Sequence, residues 1–164
     1  MSRLESAIRR LEAQRDCLNR AAHLLKDLDG PVLERGLGNG RTYDHMRKLM
    51  PYRRIFVFER KAMAHPDSMP PPSDLIEGDF RETIPSAMRL IVSPAALIHA
   101  DIGSGDRQTT AELARWLGTA LKPFCQIGTV IVSDQPLDVI GAVSVPLPQS
   151  VAEGRYQMQQ VIKN

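Results

Sequence analysis

A chain of 164 residues has the length of one ordinary domain and leaves little room for a second catalytic domain. Hydrophobic residues make up 43% of it, which is enough to bury a core and argues against disorder. The 21 basic and 19 acidic residues give a net charge of only +2, without long runs of one sign, so we expect no nucleic-acid surface.

The two cysteines, Cys17 and Cys125, have neither CxxC spacing nor a histidine cluster beside them. The sequence therefore predicts no zinc site, no other metal site and no disulfide framework. The N-terminus lacks the apolar segment of a signal peptide, and no stretch approaches the length of a membrane span. We expect a soluble, cytoplasmic protein with reduced thiols.

The first predicted element is a long amphipathic helix. Ser2 and Glu5 form a capping-box pattern, and apolar residues then recur at helical spacing until Gly30-Pro31. The sequence therefore predicts an N-terminal helix within residues 1–30. This helix could cover the domain, act as a lid over a ligand or pair with a second copy in a homodimer.

Short apolar runs alternate with helical segments after this helix. The predicted strands are Val32-Leu33, Ile55–Phe58, Leu75-Ile76, Ala95–Ile98 and Ile127–Val132. The predicted helices are Thr42–Met50, Arg81–Leu90 and Asp106–Leu121. This alternation predicts right-handed crossovers, a parallel sheet and a ligand crevice at the carboxyl ends of the strands.

The end of the chain departs from this alternation. Residues 139–147 and 155–162 predict two strands joined as an antiparallel hairpin, with almost no helix after the fifth strand. The proline-rich residues 66–72 predict an irregular loop. The predicted fold class is α/β: a Rossmann-like, mostly parallel seven-stranded sheet in a single domain over residues 31–164, preceded by the N-terminal helix.

The most informative segment is the glycine-dense turn between the first strand and the next helix. Gly36, Gly38 and Gly40 permit positive φ angles and leave out the Cβ atoms that would keep a ligand away from the backbone. The helix that follows presents free N–H groups to an anionic group. Glu59, at the end of the second strand, can accept hydrogen bonds from both hydroxyls of a ribose. It could instead pair with Arg60 or Lys61 at the surface.

These motifs resemble a known family when they are taken together. Glu34-x-Gly36-x-Gly38-x-Gly40, Glu59, Gly78-Asp79 and Asp101 are similar to the ordered motifs of class I methyltransferases that depend on S-adenosyl-L-methionine (SAM). The turn from Gly36 to His45 resembles in particular a small bacterial family of stand-alone SAM methyltransferases. The resemblance implies SAM as the cofactor and S-adenosylhomocysteine as the product. The near-neutral charge of the chain favours a small-molecule methyl acceptor over nucleic acid, with a protein acceptor as the alternative.

The resemblance also implies a set of cofactor-binding residues. The glycine turn, supported by Glu34, would pass under the methionine part of SAM, and Glu59 would hold the ribose. Asp79 would bind the adenine amino group beside Phe80, and Asp101 would border the methionine end and the acceptor. The implied residues are Glu34, Gly36, Gly38, Gly40, Arg41, Thr42, Tyr43, Glu59, Arg60, Gly78, Asp79, Phe80, Asp101, Ile102 and Gly103.

Several residues keep a second interpretation. Asp79 could serve as a helix N-cap, a role compatible with adenine binding, and Asp101 could be a turn-forming residue. His99 fits a core residue better than a base. Asp101, His45 and Asp106 are the candidates for a catalytic base. One departure from the family is Arg35, which stands where a small or apolar residue is usual.

Two other functions compete with methyl transfer. An NAD-dependent oxidoreductase also uses a glycine-rich turn and an acidic residue on the ribose, but this turn reads GxGxG rather than GxGxxG and no substrate domain follows. A non-catalytic SAM-binding module or sensor would fit the shortness of the chain. Binding of NAD, or failure to transfer a labelled methyl group, would distinguish these alternatives.

Overall fold

The computed structural model describes residues 2–25, 27–103 and 105–163, in which strands and helices alternate. The α-helices are α1 (Arg3–Leu24), α2 (Arg41–Leu49), α3 (Phe80–Ala87) and α4 (Arg107–Leu121). The strands are β1 (Val32–Arg35), β2 (Ile55–Glu59), β3 (Leu75–Glu77), β4 (Ala95–Ala100), β5 (Cys125–Ser133), β6 (Ala142–Ser144) and β7 (Gln157–Val161). Short 3₁₀ helices lie at Pro66–Ser68 and Lys122–Phe124.

All seven of these strands form one sheet, in the order β3-β2-β1-β4-β5-β7-β6. The pairs from β3 through β5 are parallel, whereas β7 runs antiparallel to both β5 and β6. The predicted fold class, a mostly parallel seven-stranded sheet with an antiparallel hairpin, is therefore confirmed. The strand order reverses between β1 and β4, and such a switch point opens a crevice at the carboxyl ends of the strands.

The sheet is covered on both faces, which explains why its central strands are continuously apolar. All six residues of β4 are buried, and its apolar side chains are divided between the two sides of the sheet. Leu97 packs with the α1 and α2 side, where Leu18 and Met46 lie, whereas Ile98 packs with Ile84 and Leu117 of α3 and α4. Burial on both faces is what a parallel strand needs.

The first helix begins as predicted but ends earlier. Ser2 and Glu5 form the predicted capping box. The helix stops at Leu24 rather than near Gly30, because the chain must turn there to enter β1. Arg53 stabilises that turn: its guanidinium donates to the carbonyl oxygens of Leu28 and Gly30, at 2.9 and 2.6 Å. Both carbonyls lie in the connection between α1 and β1.

The other predicted elements lie where expected, with shifted ends. The predicted helix Arg81–Leu90 is wrong at its C-terminal end, since α3 stops at Ala87, two residues after an internal proline. The predicted hairpin strands are longer than β6 and β7. Between β5 and β6 the structure contains no helix, as expected. None of the helices in the described residues has the length and apolar character that a membrane span requires.

Candidate functional site

A cavity of about 640 Å³ lies at the carboxyl ends of β1, β2 and β4, where the strand order reverses. Most of the predicted cofactor-binding residues form its wall. These are Gly36, Gly38, Arg41, Thr42, Glu59, Arg60, Asp79, Phe80, Asp101, Ile102 and Gly103. The side chains of Arg10, Leu11 and Gln14 from α1 close one side of the cavity. The sequence motifs therefore converge on one space, although they are far apart in the chain.

The turn after β1 needs glycine because its φ angles are positive and because a Cβ atom would collide with neighbouring segments. Gly36 has a φ of +91°, and a Cβ atom there would lie 2.7 Å from the carbonyl oxygen of Asp101. Gly40 has a φ of +80°, and its Cβ would lie 2.6 Å from the Cβ of Ser68. Both are close approaches of backbone to neighbouring segments. The glycines consequently allow the turn to pack against the tip of β4 while α2 begins directly after it.

Glu34 supports this turn from below, inside the protein. It is completely buried, and the Thr42 hydroxyl in the first turn of α2 donates to Glu34 Oε1. On its other side, the imidazole Nδ1 of buried His99 lies 3.6 Å from the same oxygen. His99 Nε2 in turn lies 2.8 Å from the Tyr156 hydroxyl. His99 is therefore a hydrogen-bonded core residue, in agreement with the interpretation of the sequence.

The Glu59 carboxylate faces the glycine turn. Its Oε2 accepts hydrogen bonds from the backbone N–H groups of Leu37 and Gly38, at 2.7 and 3.1 Å. Its Oε1 accepts from the backbone N–H of Arg60 at 2.7 Å. The Arg60 guanidinium is directed elsewhere and lies 3.8 Å from Asp79. The acid of the second strand and the turn of the first strand thus meet at one edge of the cavity.

Asp79 is an N-cap, as predicted. Its Oδ1 accepts a hydrogen bond from the backbone N–H of Arg81 at 2.8 Å, and Asp79 itself remains exposed to the cavity. Phe80 follows as the first residue of α3. The guanidinium carbon of Arg35 lies 3.7 Å from the centre of the Phe80 ring. This part of the cavity therefore combines a carboxylate, an aromatic ring and a buried cation.

Asp101 lies one residue beyond β4, at the point where α1 crosses the cavity. Its Oδ2 accepts hydrogen bonds from Arg10 at 2.8 Å and from Gln14 at 2.6 Å. The loop that continues through Ile102 and Gly103 is held by Asp134, whose carboxylate accepts both backbone N–H groups at 2.9 Å. Burial raises the pKa of Asp134, while these hydrogen bonds oppose the rise.

The remaining predicted site residues lie outside the cavity wall. Glu34 and Tyr43 are buried beneath it, and Gly40 and Gly78 lie in turns that position its neighbours. His45 faces α1, with its Nε2 2.8 Å from Asn19 Oδ1, in a smaller adjoining cavity of about 220 Å³. Their predicted roles in cofactor binding and catalysis stay predictions.

Asp106 also lies outside the wall, where it caps α4 through a hydrogen bond of 2.7 Å from the backbone N–H of Thr109. Asp101 is thus the catalytic candidate that the structure brings together with the predicted cofactor-binding residues. In the described part of the chain, no group of three or more His, Cys, Asp or Glu side chains is arranged to hold a metal ion.

A second cavity of about 550 Å³ lies at the opposite edge of the sheet. Its cationic groups already have partners: Arg53 donates to carbonyls that follow α1, and Arg54 pairs with Asp74 at 2.8 Å. Arg54 also stacks on Phe56, with the guanidinium carbon 4.3 Å from the ring centre. The cavity at the carboxyl edge, which contains the glycine turn, is therefore the candidate site.

Comparison with known proteins decides the family. A family model described as S-adenosyl-L-methionine methyltransferase matches residues 1–161. The chain belongs to this family. It is therefore a SAM-dependent methyltransferase, and SAM is its cofactor. The competing prediction of an NAD-dependent oxidoreductase receives no support. A search of curated proteins found no match to the sequence.

Solved structures agree with the family assignment. An S-adenosyl-L-methionine methyl transferase from Silicibacter pomeroyi DSS-3 is 40% identical, with a TM-score of 0.92 over 98% of this chain and 99% of that one. CalS11, a TDP-rhamnose 3'-O-methyltransferase of calicheamicin biosynthesis, is 19% identical, with a TM-score of 0.60 over 87% of this chain and 76% of that one. At that identity, the second similarity concerns the fold.

Sequence reasoning about this methyltransferase allowed its first helix to act as a lid but did not identify the residues that the helix contributes to the cavity. Arg10 and Gln14 lie four residues apart and therefore on one face of α1, which is the signal that the sequence contained. Their partner, Asp101, is 91 residues beyond Arg10 in the chain, and only the packed structure brings them together. Asp134 was missed for the same reason, since its partners are backbone groups of a different loop.

Proposed function

We propose that the methyltransferase binds SAM in the cavity at the carboxyl edge of the sheet and transfers its methyl group to a small molecule. The turn from Gly36 to Gly40 passes under the methionine part, and Glu59 holds the ribose. Asp79 binds the adenine amino group beside Phe80. The remaining contacts in this proposal come from Glu34, Arg41, Thr42, Tyr43, Arg60, Gly78, Asp101, Ile102 and Gly103.

The contact between Glu59 and the glycine turn supports this assignment most directly. Its carboxylate lies within 3.1 Å of two backbone N–H groups of the turn, so an acceptor for ribose hydroxyls stands beside a Cβ-free backbone surface. A carboxylate has about four lone-pair sites, and three N–H groups occupy some of them here. Hydroxyl donors of a ribose can use the remaining site and compete for the others.

The sulfonium of SAM supplies an activated methyl group when it is bound, and the chain must hold and align the reactants. Alignment at about 3–3.5 Å between reacting atoms can remove several kcal/mol of barrier. Asp101 faces the cavity from the tip of β4, and Arg10 and Gln14 fix the orientation of its carboxylate. We propose Asp101 as the group that accepts a proton from an oxygen or nitrogen acceptor. His45 and Asp106 remain secondary candidates.

The charge of the cavity supports a small acceptor over a nucleic acid. Its volume of about 640 Å³ falls within the usual range for small-molecule pockets, which fits the cofactor. Arginines and carboxylates are mixed along its wall, and the net charge of the whole chain is only +2, so a polyanionic nucleic acid is not favoured. Incubation with methyl-labelled SAM and separated metabolite and protein fractions tests this class. Label in the protein fraction alone would contradict it.

We also propose that residues 1–30 cover the site and that the protein forms a homodimer in the cytoplasm. Leu4 and Ile8 support the dimer, because they are 70% and 46% exposed on the free end of α1. Both cysteines are free, which fits a reducing compartment. Sedimentation of wild type and Leu4→Glu tests the dimer. A monomer at every concentration of the wild type would contradict it.

Isothermal titration with S-adenosylhomocysteine, SAM and NAD tests the cofactor site. Wild type should bind the first two and not NAD, and Glu59→Gln should weaken binding by about tenfold or more, since a hydrogen bond to a charged group contributes about 1.5–3 kcal/mol. Glu77→Gln is the matched control, because Glu77 ends β3 beside Glu59 and accepts the Ala62 N–H outside the cavity. Equal affinity of both variants would refute the role of Glu59.

A further inference from the structure

Arg35 is a buried cation whose guanidinium has donors without a hydrogen-bond partner among the described residues. It ends β1, directly before the glycine turn, and is only 2% exposed. Among the residues that the structure describes, neither its Nε nor its Nη2 has a hydrogen-bond partner. Arg53 shows the contrast, since its guanidinium donates to three backbone carbonyls. Arg35 therefore has unpaired N–H donors at the edge of the candidate cofactor cavity.

Burial of an unpaired guanidinium costs free energy unless another group accepts its hydrogen bonds. Desolvation lowers the pKa of Arg35 to about 10, and the carboxylates of Asp134, Glu59 and Asp79 oppose this effect from a distance. The guanidinium therefore stays protonated at neutral pH. This guanidinium is desolvated but has unpaired donors. The ligand-free protein is therefore less stable than it would be with an apolar side chain at position 35.

The surroundings define what would satisfy Arg35. The side chain lines the candidate cofactor cavity together with Glu59, Asp79 and Phe80. The guanidinium carbon of Arg35 lies 3.7 Å from the centre of the Phe80 ring, and this stacking fixes the position of the guanidinium. The two carboxylates bind hydrogen-bond donors of a ligand, whereas Arg35 binds hydrogen-bond acceptors. The complementary ligand is a flat group with hydrogen-bond acceptors in its plane.

We propose that Arg35 is a cofactor-contacting residue that donates hydrogen bonds to ring nitrogens of the adenine of SAM. The inference rests on the proposed function, because it requires the cofactor to lie in this cavity. Asp79 then accepts a hydrogen bond from the adenine amino group, and Arg35 donates hydrogen bonds to the ring nitrogens. The two side chains therefore bind the donor and the acceptor groups of the base, respectively. Binding also relieves the unpaired state of the buried guanidinium.

Substitution by leucine separates this role from a structural one. Arg35→Leu should bind S-adenosylhomocysteine about tenfold or more weakly, since it loses a hydrogen bond from a charged donor. Its melting temperature without ligand should equal or exceed that of wild type, because an unpaired buried charge has been removed. Arg54→Leu is the matched control: it also removes a guanidinium stacked on a ring, but at the other edge of the sheet, and should leave affinity unchanged.

Analogues of the base identify the contact. Wild type should bind one of the 1-deaza, 3-deaza or 7-deaza forms about tenfold more weakly than S-adenosylhomocysteine itself. Arg35→Leu should bind that same analogue and S-adenosylhomocysteine with equal affinity. Should Arg35→Leu fail to fold, Arg35→Lys keeps the charge without the planar fork and should reduce the same penalty. Equal deaza penalties in wild type and variant would overturn the proposal. Failure of wild type to bind S-adenosylhomocysteine at all would instead refute the proposed function.

Discussion

Removal of the Tyr156 hydroxyl tests the buried polar network beneath the site. Tyr156 is fully buried, and its hydroxyl lies 2.8 Å from His99 Nε2 and 3.3 Å from Gln14 Nε2. Burial raises the pKa of Tyr156 well above its usual value, so the hydroxyl stays protonated and can donate to one neighbour while it accepts from the other. Tyr156→Phe keeps the ring and its packing but leaves His99 Nε2 without this partner.

The expected loss follows from these contacts. A buried polar group that loses its partner costs about 1–3 kcal/mol, and Gln14 keeps its bond to Asp101, so the free energy of unfolding should fall by about 1–3 kcal/mol. For a domain of this size that corresponds to roughly 2–12 °C in melting temperature. Urea denaturation should show a lower midpoint with an unchanged slope. Tyr52→Phe is the control, since Tyr52 is completely exposed. Equal stability of the two variants would refute the reasoning.

Three further outcomes are expected. Gly36→Ala should destabilise the protein and abolish binding of S-adenosylhomocysteine, because the added Cβ would lie 2.7 Å from the Asp101 carbonyl oxygen; Gly38→Ala, with nothing within 4 Å, should be milder in the same titration. Burial raises the pKa of Cys17 to about 12, so iodoacetamide at pH 8 should modify it only in unfolded protein, as peptide mass spectrometry would detect. Burial lowers the pKa of His45, so the unfolded state takes up its proton first and stability should fall as pH drops below about 6.5; His45→Gln should flatten urea-derived stability between pH 7 and 5.

The sequence was sufficient to predict the order and type of the main elements. Continuous apolar runs such as Ile55–Phe58 predicted buried strands, and the turn at Gly36 located the crossover from β1 to α2. These signals are local, because strand burial and turn conformation depend on residues close together in the chain. The end of α1 was predicted wrongly for the opposite reason. Leu28 continues the apolar pattern, but the hydrogen bonds from Arg53 favour a turn there.

The candidate site was predictable to the extent that parallel strands bring their carboxyl ends to one edge. Glu59 ends one such strand, and Asp79 and Asp101 follow two others. Their convergence on one cavity required no knowledge of side-chain packing. The sequence could not show that Arg10 would reach Asp101, because that contact depends on how α1 docks across the sheet. It also could not show that Arg35 would be buried without a partner, since burial of a charge is visible only after the helices are placed.

The tip of β4 links the first helix to the glycine turn. The Asp101 side chain binds Arg10 and Gln14 of α1, while its backbone N–H donates to the Arg35 carbonyl at 3.2 Å. Its own carbonyl oxygen lies 2.7 Å from the position that a Cβ of Gly36 would take. A movement of α1 therefore acts on the residue that also fixes the position of the turn. Because Asp101 contacts both elements, the position of α1 and the position of the glycine turn are coupled through this one residue.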